Sequence, residues 1–597
     1  MTRTTRPAVF LPKILAIAVA SGLGAQAQAV NFTIGEIEGQ FDSSLSVGAS
    51  WSTAKQDKDL IGMANGGNGF TQTNDDGRLN FKRGETFSKI FKGIHDLELR
   101  YGDFGLFTRG KYWYDFELKD ESRLHKDISD HNRKEGAKSS GAELLDAFVY
   151  YNYALAEQPG SVRLGKQVVS WGESTFIQNG INAINPIDVA AFRRPGAEIK
   201  EGLIPVNMFY VQQSLTENLS AEAFYQLEWD QTVIDNCGTF FSGADVAADG
   251  CVDNYNILDP ATINSLLPFQ SALASIGVNV EPEGLLVPRG PDRDARDSGQ
   301  YGLTLRWLGD ETEYGAYLIN YHSRTPIVSY KNAGVADLFN ALTLAGGALA
   351  QPILLGRGSY FLEYPEDIRL YGLSFSTTLP TGTAWSGEIS YRPNMPLQLN
   401  TSDLTPLLAT SVAEGFATGG VAGALAQAGA EHQGYVRKEV TQVQTTFTHF
   451  FDQVMGASRF TVVGEVGLTR VSGMSDELGK RYGRDAVFGL PENPLAQERY
   501  GSHGFFTSSS WGYRARGIWD YPDVFAGVNL KPNVAWSHDV SGYGPVFNEG
   551  SKAISVGLDA DYLNTYTASL SYTNFFGGDY NTTTDRDFIA LSFGVNF

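Results

Sequence analysis

The sequence predicts an all-β protein, a transmembrane antiparallel β-barrel, and three observations support this prediction. Apolar and polar residues alternate in many short segments, short connections alternate with long ones, and no membrane-helix segment follows the amino terminus. A spanning helix needs about 20 consecutive apolar residues, whereas a barrel strand needs only every second residue to be apolar. The mean hydropathy of −0.20 is compatible with a barrel.

The alternation is clearest in three segments. At positions 589–597 the odd residues are large and apolar, from Ile589 to Phe597, and the even ones are small or polar; 219–229 and 301–307 repeat the pattern. Neighbouring side chains of a strand point to opposite faces, so each segment has one apolar and one polar face. The ending on Phe597 is similar to the sorting signal of bacterial outer-membrane barrels, which makes the barrel-assembly machinery an expected partner. An ordinary amphipathic edge strand is the alternative.

The number of short turns predicts the number of strands. Turns are expected near 102–103, 156–160, 215–217, 309–310, 380–383, 452–457, 531–533 and 563–564. Eight hairpin turns and two free ends give eighteen strands, an even number as bacterial barrels require, and sixteen or fourteen remain possible. The turns and both termini then face the periplasm. The long connections, extracellular in this arrangement, fall near 53–90, 120–143, 172–205, 231–297, 325–367, 394–438 and 473–508.

The amino terminus is typical of a secretory signal. Arg3, Arg6 and Lys13 precede a short apolar core, and Ala27-Gln28-Ala29 supplies small residues for cleavage. The predicted organisation is a signal peptide over 1–29, a periplasmic segment or small plug over 30–42, and the barrel over 43–597. A disordered leader is the alternative for 30–42. The expected location is the outer membrane of a Gram-negative bacterium, in contact with its lipid.

Charge and cysteine content exclude some functions. A net charge of −21 repels phosphate backbones, so nucleic acid is not an expected partner. Cys237 and Cys251 are the two cysteines, and in an exported protein such a pair predicts a disulfide. The sequence predicts neither a metal site nor a cofactor.

Three long connections contain helix-like apolar runs, at 263–276, 335–355 and 404–428. Because solvated loops are usually polar, these runs must pack on each other, fold into the barrel mouth or contact an apolar cargo.

Parity along the strands places charged residues in the lumen, since a charge facing lipid would cost about 2–4 kcal/mol at the midplane. The lumen-facing candidates are Arg109, Lys111, Asp115, Arg163, Glu222, Arg306, His322, Arg324, Glu388, Arg392, Glu465, Arg514 and Arg516. Such mixed charges can form a transverse field across a pore, or they can be neutralised pairs that brace a plugged lumen.

The segment 171–201 is the candidate constriction. Asn185 before Pro186 is typical of a helix start, and a short helical run follows. If this loop folds into the lumen, it places Asp188, Arg193 and Arg194 near the path. An extracellular surface loop is the alternative.

Several stretches together resemble one family of proteobacterial outer-membrane proteins, the domain of unknown function 1302. They are 163–174 (RLGKQVVSWGES), 363–368 (EYPEDI), 387–392 (GEISYR), 463–467 (VGEVG), 537–545 (SHDVSGYGP) and 585–588 (DRDF). The resemblance implies association with a periplasmic partner family, domain of unknown function 1329, and with lipid-type resistance-nodulation-division exporters of the inner membrane. It therefore suggests movement of hydrophobic compounds, and it supplies no catalytic motif.

The sequence thus favours a channel or transport component for a small hydrophobic or amphipathic compound, within a larger export or uptake system. A closed structural or adhesive barrel with partner-binding loops is the alternative. An outer-membrane hydrolase is the third reading, but the chain lacks Gly-x-Ser-x-Gly and His-Glu-x-x-His motifs, and His538 and Asp539 are expected on opposite faces. The protein is therefore not expected to be an enzyme.

Overall fold

The computed structural model describes residues 30–474 and 479–597 and shows a closed antiparallel β-barrel. Within these ranges eighteen strands follow one another round the barrel in chain order, and the last pairs with the first. The barrel strands are β2 (Ile37–Ser52), β3 (Thr86–Tyr101), β4 (Phe104–Asp115), β5 (Ser140–Leu155), β6 (Gln158–Gln167), β7 (Val206–Ser214), β8 (Leu219–Gln226), β12 (Tyr301–Leu308), β13 (Thr312–Tyr321), β16 (Ile368–Thr378), β17 (Ala384–Gln398), β19 (Tyr435–Asp452), β20 (Arg459–Val471), β21 (Ser509–Phe525), β22 (Val528–Ser541), β23 (Lys552–Tyr562), β24 (Tyr566–Phe576) and β25 (Phe588–Asn596).

The closing pair joins β25 to β2, from Ser44↔Asn596 to Ser52↔Phe588. Beyond it the amide of Phe597 donates to the carbonyl of Ser43 at 2.9 Å, and the amide of Ser43 donates back at 2.6 Å. The predicted fold class, including eighteen strands, is confirmed. Below this seam β1 (Val30–Ile34) forms a hairpin with the start of β2 through Gly35, so the first barrel strand begins inside the predicted 30–42 segment.

The prediction of a turn at 531–533 is wrong. The chain turns at Ala526 and Gly527, both with positive φ, as a two-residue hairpin turn requires. Pro532 instead lies within β22, opposite Leu558 of β23. The pairing with β21 is interrupted between Ile518↔Asn533 and Tyr521↔Leu530, which leaves room for a residue without an N–H group.

The two faces of the barrel differ as the alternation predicts. In β12, Leu303 and Leu305 are exposed on the outside, whereas Gly302 and Thr304 are buried. Outward aromatic side chains also form pairs beside the short turns: Phe104–Tyr151, Trp307–Tyr314, Trp385–Phe447 and Phe460–Trp519. Rings at this height match the aromatic belt that membrane barrels place at the lipid–water interface.

The connections at the opposite rim are long and partly folded. Their strands are β9 (Asn256–Ile257), β10 (Val280–Glu281), β11 (Gly284–Leu286), β14 (Ile327–Lys331), β15 (Ser359–Glu363) and β18 (Glu431–His432). Their helices are α1 (Asp76–Asn80), α2 (Phe116–Asp120), α3 (Val189–Phe192), α4 (Ile199–Gly202), α5 (Pro260–Leu266), α6 (Gln270–Ser275), α7 (Val335–Thr343), α8 (Ala350–Arg357), α9 (Thr401–Leu404), α10 (Leu407–Leu425) and α11 (Pro494–Tyr500). None of the helices in the described ranges is long and apolar enough to cross a membrane.

The three apolar runs form one hydrophobic core above the barrel, which we call the loop layer. Leu266 and Leu273 from the first run pack in the same cluster as Ile353 from the second and Leu408 from the third. Of the three possibilities open from the sequence, the runs therefore pack on each other. The small sheets β9–β11 and β14, β15, β18 belong to the same layer.

Candidate functional site in the barrel lumen

The connection between β6 and β7, residues 168–205, enters the barrel, and we call it the lumen segment. Glu465 of β20 accepts hydrogen bonds from the amides of Thr175, Phe176 and Ile177 at 3.1, 2.6 and 2.7 Å. These three donors are consecutive, so a single buried carboxylate satisfies a whole turn of backbone. This is how a non-regular segment can remain inside a barrel without orphaned N–H groups.

A second glutamate on a neighbouring wall holds the same segment. Glu388 of β17 accepts from the amides of Glu173 at 2.6 Å and Ile181 at 2.8 Å. Gly172 and Gly180 lie directly against this carboxylate, where a Cβ atom would meet its oxygens at 2.4 and 2.0 Å. The two glycines therefore permit the close approach of backbone to wall.

Donor side chains fix the carbonyl groups of the segment. Arg392 of β17 donates to the carbonyls of Asn179 at 2.9 Å and Gly180 at 2.5 Å, and Gln442 of β19 donates to that of Gln178 at 2.8 Å. The donors and acceptors of this half of the segment are thus matched by β17, β19 and β20.

The far half of the segment is held by two lysines. Lys92 of β3 pairs with Glu201 at 2.6 Å and donates to the carbonyl of Gly196 at 2.7 Å. Lys111 of β4 pairs with Asp188 at 3.0 Å, and Asp188 also caps α3 by accepting from the amide of Ala191. Asp188 is 1% exposed, so it anchors the segment and does not line open space.

Glu222 of β8 ties the start of the segment to the wall. It accepts from Trp171 Nε1 at 2.7 Å and from the Tyr210 hydroxyl at 2.9 Å, and it pairs with Arg306 at 3.2 Å. Arg324, beyond the end of β13, donates to the carbonyl of Ile184 at 3.0 Å.

The sequence-derived residues fall into distinct positions. The residues on inward faces of their strands are Arg109, Lys111, Arg163, Glu222, Arg306, Glu388, Arg392, Glu465, Arg514 and Arg516. Several of these charges are paired within the lumen, for example Arg109 with Asp96 and Arg514 with Asp539. Asp115 ends β4 and caps α2.

The prediction that His322 faces the lumen is wrong. β13 ends at Tyr321, and its inward residues are the odd-numbered ones, such as Tyr317 and Ile319. The ring of His322 lies in the loop layer, between the carbonyl of Ser298 and the amide of Asp367. His322 lies one residue beyond the strand, and the parity of β13 does not place an even-numbered residue in the lumen.

Arg193 and Arg194 lie on the lumen segment with different surroundings. Arg193 pairs with Asp235 and its side chain is 38% exposed. Arg194 stacks on Trp113 at 4.3 Å and donates to the carbonyl of Gly136. The sequence does not indicate Lys92, Tyr210 or Gln442, because a polar contact between separate elements leaves no pattern in the local sequence.

One arc of the wall stays clear of the segment. Within residues 30–474 and 479–597, no hydrogen bond or ion pair joins the lumen segment to β22, β23 or β24. The inward face of this arc carries the small hydroxyl residues Ser537, Ser555, Ser569, Ser571 and Thr573, and also the acids Asp539, Asp559 and Asp561. The hydroxyl residues are half-buried, unlike the anchors of the lumen segment on the other strands, which are fully buried.

A cavity of about 650 Å³ lies in the loop layer. Its lining is largely apolar, with Phe70, Val328, Leu355, Leu399 and Phe506 among its residues. Asn74 also lines it, and its buried Oδ1 has no hydrogen-bond partner among the described residues. A volume of this size fits a small organic compound.

A cluster of charges joins three connections in the loop layer. His125 Nε2 lies 3.3 Å from Asp76 and 2.8 Å from Glu283, and Lys126 Nζ lies 2.9 and 2.8 Å from the same two carboxylates. The ligand atoms of Asp76, His125 and Glu283 are close enough for a metal ion. However, Lys126 already neutralises both acids, so a divalent ion would have to displace it.

The pKa shifts of this cluster predict pH-dependent loop stability. The close carboxylates of Asp76 and Glu283 raise the pKa of His125 from 6.5 to about 9. Burial alone would raise the pKa of Glu283, but the ion pairs with His125 and Lys126 lower it from 4.5 to about 2. The histidine therefore stabilises the cluster fully below pH 6.5 and loses this effect as pH rises through 9. The glutamate stabilises it above pH 4.5 and loses this effect as pH falls through 2.

We expect His125→Gln to increase proteinase K cleavage of the loops about tenfold at pH 7, since about 1.4 kcal/mol of lost local stability is tenfold in the open population. At pH 10 variant and wild type should be cleaved equally. His131→Gln, at an exposed position of the same connection, should match the wild type at both values. A variant difference that persists at pH 10 would contradict the ion-pair explanation.

The remaining sequence candidates are structural. The structure joins Cys237 and Cys251 through their Sγ atoms in the loop layer. His538 points outward beside Trp536 and Tyr513, whereas Asp539 points inward to Arg514. The two side chains therefore do not meet.

Comparison with known proteins identifies the family of this chain. Residues 10–597 match the model of a family described as "Protein of unknown function (DUF1302)". The chain belongs to this family. No curated protein matches the DUF1302 chain in sequence.

Solved structures with a similar fold are outer-membrane proteins. OccAB1 of Acinetobacter baumannii is 10% identical, with 96% of the DUF1302 chain and 98% of OccAB1 covered and a TM-score of 0.39. OpdK of Pseudomonas aeruginosa is 9% identical, with 94% and 98% covered and a TM-score of 0.39. Salmonella typhi OmpF, solved with daunomycin, is 9% identical, with 95% and 100% covered and a TM-score of 0.34.

Proposed function

We propose that the protein is an outer-membrane channel for a small hydrophobic or amphipathic compound, with the lumen segment as its constriction. The arrangement of the lumen carries this proposal. Buried anchors on β3, β4, β8, β17, β19 and β20 hold the segment. Within the described residues the arc of β22–β24 has no hydrogen bond or ion pair to the segment, and it presents hydroxyl and carboxylate side chains. A barrel whose only role is structural has no need for this asymmetry.

The loop layer supports the second part of the proposal, the nature of the cargo. Its cavity of about 650 Å³ is mostly apolar and is lined by residues of the long connections. A compound that enters it would leave water before it reaches the polar arc. A hydrophobic or amphipathic cargo suits this sequence of environments better than an inorganic ion. A periplasmic partner and an inner-membrane lipid-type exporter would then complete the path.

Single-channel recording of the purified protein in planar bilayers tests the channel. We expect discrete conductance steps, and in a deletion strain an altered accumulation of amphipathic compounds. A sealed barrel whose loss leaves the distribution of every tested compound unchanged would reject the proposal.

A closed adhesive barrel is the second candidate, because apolar side chains are exposed on the loop layer. Phe269, Phe339 and Phe416 are each more than two-fifths exposed. Removal of the tip of α10, residues 416–422, separates the two functions. Loss of a surface contact with normal conductance favours adhesion, and loss of transport favours the channel. The hydrolase reading predicts that His538→Ala abolishes a measurable hydrolysis.

A further inference from the structure

A second, smaller cavity lies where the lumen segment meets the extracellular connections. Its volume is about 370 Å³, and three arginines line it: Arg78, Arg193 and Arg586. Arg78 belongs to the connection after β2, Arg193 to the lumen segment and Arg586 to the connection before β25. Hydroxyl side chains of Ser242 and Thr583 complete its polar lining.

Two of the three arginines have carboxylate partners. Arg78 donates through Nε to Asp585 at 3.1 Å, and Arg193 pairs with Asp235 at 2.5 Å. Arg78 is also held by the carbonyl of Asn74 at 2.6 Å. These two guanidinium groups are therefore fixed in place by the protein itself.

Arg586 is different, because its guanidinium group is less completely paired. Its side chain is 5% exposed, and its Nη2 is buried without a hydrogen-bond acceptor in the part of the chain that the structure describes. The nearest acid is Asp585, whose Oδ1 lies 3.7 Å from Nε and whose other oxygen already binds Arg78. The ring of Phe240 covers the guanidinium at 5.0 Å.

The hydrogen bonds of the cavity indicate what is missing. Asp235, Asp585 and Asp245 lie near the three arginines, but none of them accepts a hydrogen bond from Arg586 Nη2. Burial, followed by repulsion from Arg78, lowers the pKa of Arg586 to about 9. A buried guanidinium is costly unless an anion accepts its hydrogen bonds, and a planar carboxylate matches its geometry.

We propose that this cavity binds the carboxylate of an amphipathic organic acid through Nη2 of Arg586, the guanidinium nitrogen that has no acceptor among the described residues. This inference rests on the proposed channel and names the class of its cargo. Gly243 and Ala244 line both this cavity and the apolar cavity of the loop layer. The apolar body of the acid would therefore occupy the larger cavity while its head group reaches the arginines.

Calorimetric titration of the purified protein in non-ionic detergent tests this site, with octanoate and octan-1-ol as matched probes. We expect octanoate to bind at least tenfold more tightly than the alcohol. Arg586→Met should weaken octanoate binding at least tenfold and leave the alcohol unchanged. The variant removes a buried charge whose only ion pair is long, and Asp585 keeps Arg78 as its partner. It should therefore not lower the thermal unfolding temperature, which separates binding from folding.

Two further variants complete this test, one within the cavity and one control outside it. Arg193→Gln, at a partly exposed arginine of the same cavity, should also weaken octanoate binding, whereas Arg499→Gln, at an exposed arginine of α11, should not. Equal binding of octanoate and octan-1-ol, or unchanged octanoate binding in Arg586→Met, would overturn the proposal. Inorganic phosphate that binds as tightly as octanoate would overturn the organic-acid assignment.

Failure of the binding-site proposal can be distinguished from failure of the channel proposal. A protein that conducts ions but does not bind octanoate retains the channel and loses this site. A protein that binds octanoate through Arg586 but shows no conductance retains the site and loses the channel.

Discussion

Glu465→Gln is expected to raise the single-channel conductance at least twofold and to admit larger solutes. Glu465 is 1% exposed and accepts three consecutive amides of the lumen segment. A glutamine of the same size presents an NH2 group to some of these donors and carries no charge. Each buried amide left without an acceptor costs about 1–3 kcal/mol, enough to release this part of the segment from the wall.

The measurement is conductance in planar bilayers, together with the sensitivity of cells to antibiotics too large for ordinary channels. Glu313→Gln is the matched control, since Glu313 also lies in the lumen and pairs with Arg306 but makes no hydrogen bond to the segment. Both variants remove one negative charge. If both raise the conductance equally, the effect is one of charge, and the anchoring role of Glu465 is rejected.

Strand periodicity made the barrel predictable from the sequence. In β12 the alternation assigns Leu305 and Arg306 to the correct faces because both neighbouring strands continue the same pleat. His322 lies one residue beyond the end of β13, where no regular pairing assigns a face. Pro532 is expected in a turn from its residue type, but it lies in a strand where an interrupted ladder tolerates it. Alternation predicts which face of the sheet a side chain occupies only where the strand is regularly paired.

The site was predictable only in part, for a different reason. Parity places Glu388 and Glu465 in the lumen, but their partners are amides about 200 to 300 positions earlier in the chain. Backbone donors carry no sequence signal. The glycines at 172 and 180 are the one local sign of that contact, since a side chain at either position would clash with Glu388. The cavity around Arg586 likewise joins residues from four connections, whose packing no single segment encodes.

The strongest test of the barrel compares an arginine on each face at the same height. Leu570, on the outside at the middle of β24, is 47% exposed, and its neighbour Ser571 faces the lumen. Leu570→Arg places a charge against lipid and should destabilise the folded barrel by about 2–4 kcal/mol. Ser571→Arg places the same side chain against water in the polar arc, so its stability should stay within about 0.5 kcal/mol of the wild type.

Urea unfolding of the protein refolded in lipid vesicles measures both values. Ser571→Arg should instead lower the conductance, because its side chain would project into the arc that the lumen segment leaves clear. Equal destabilisation by the two arginines would mean that the apolar face does not meet lipid. A conductance unchanged by Ser571→Arg would place the permeation path elsewhere in the barrel.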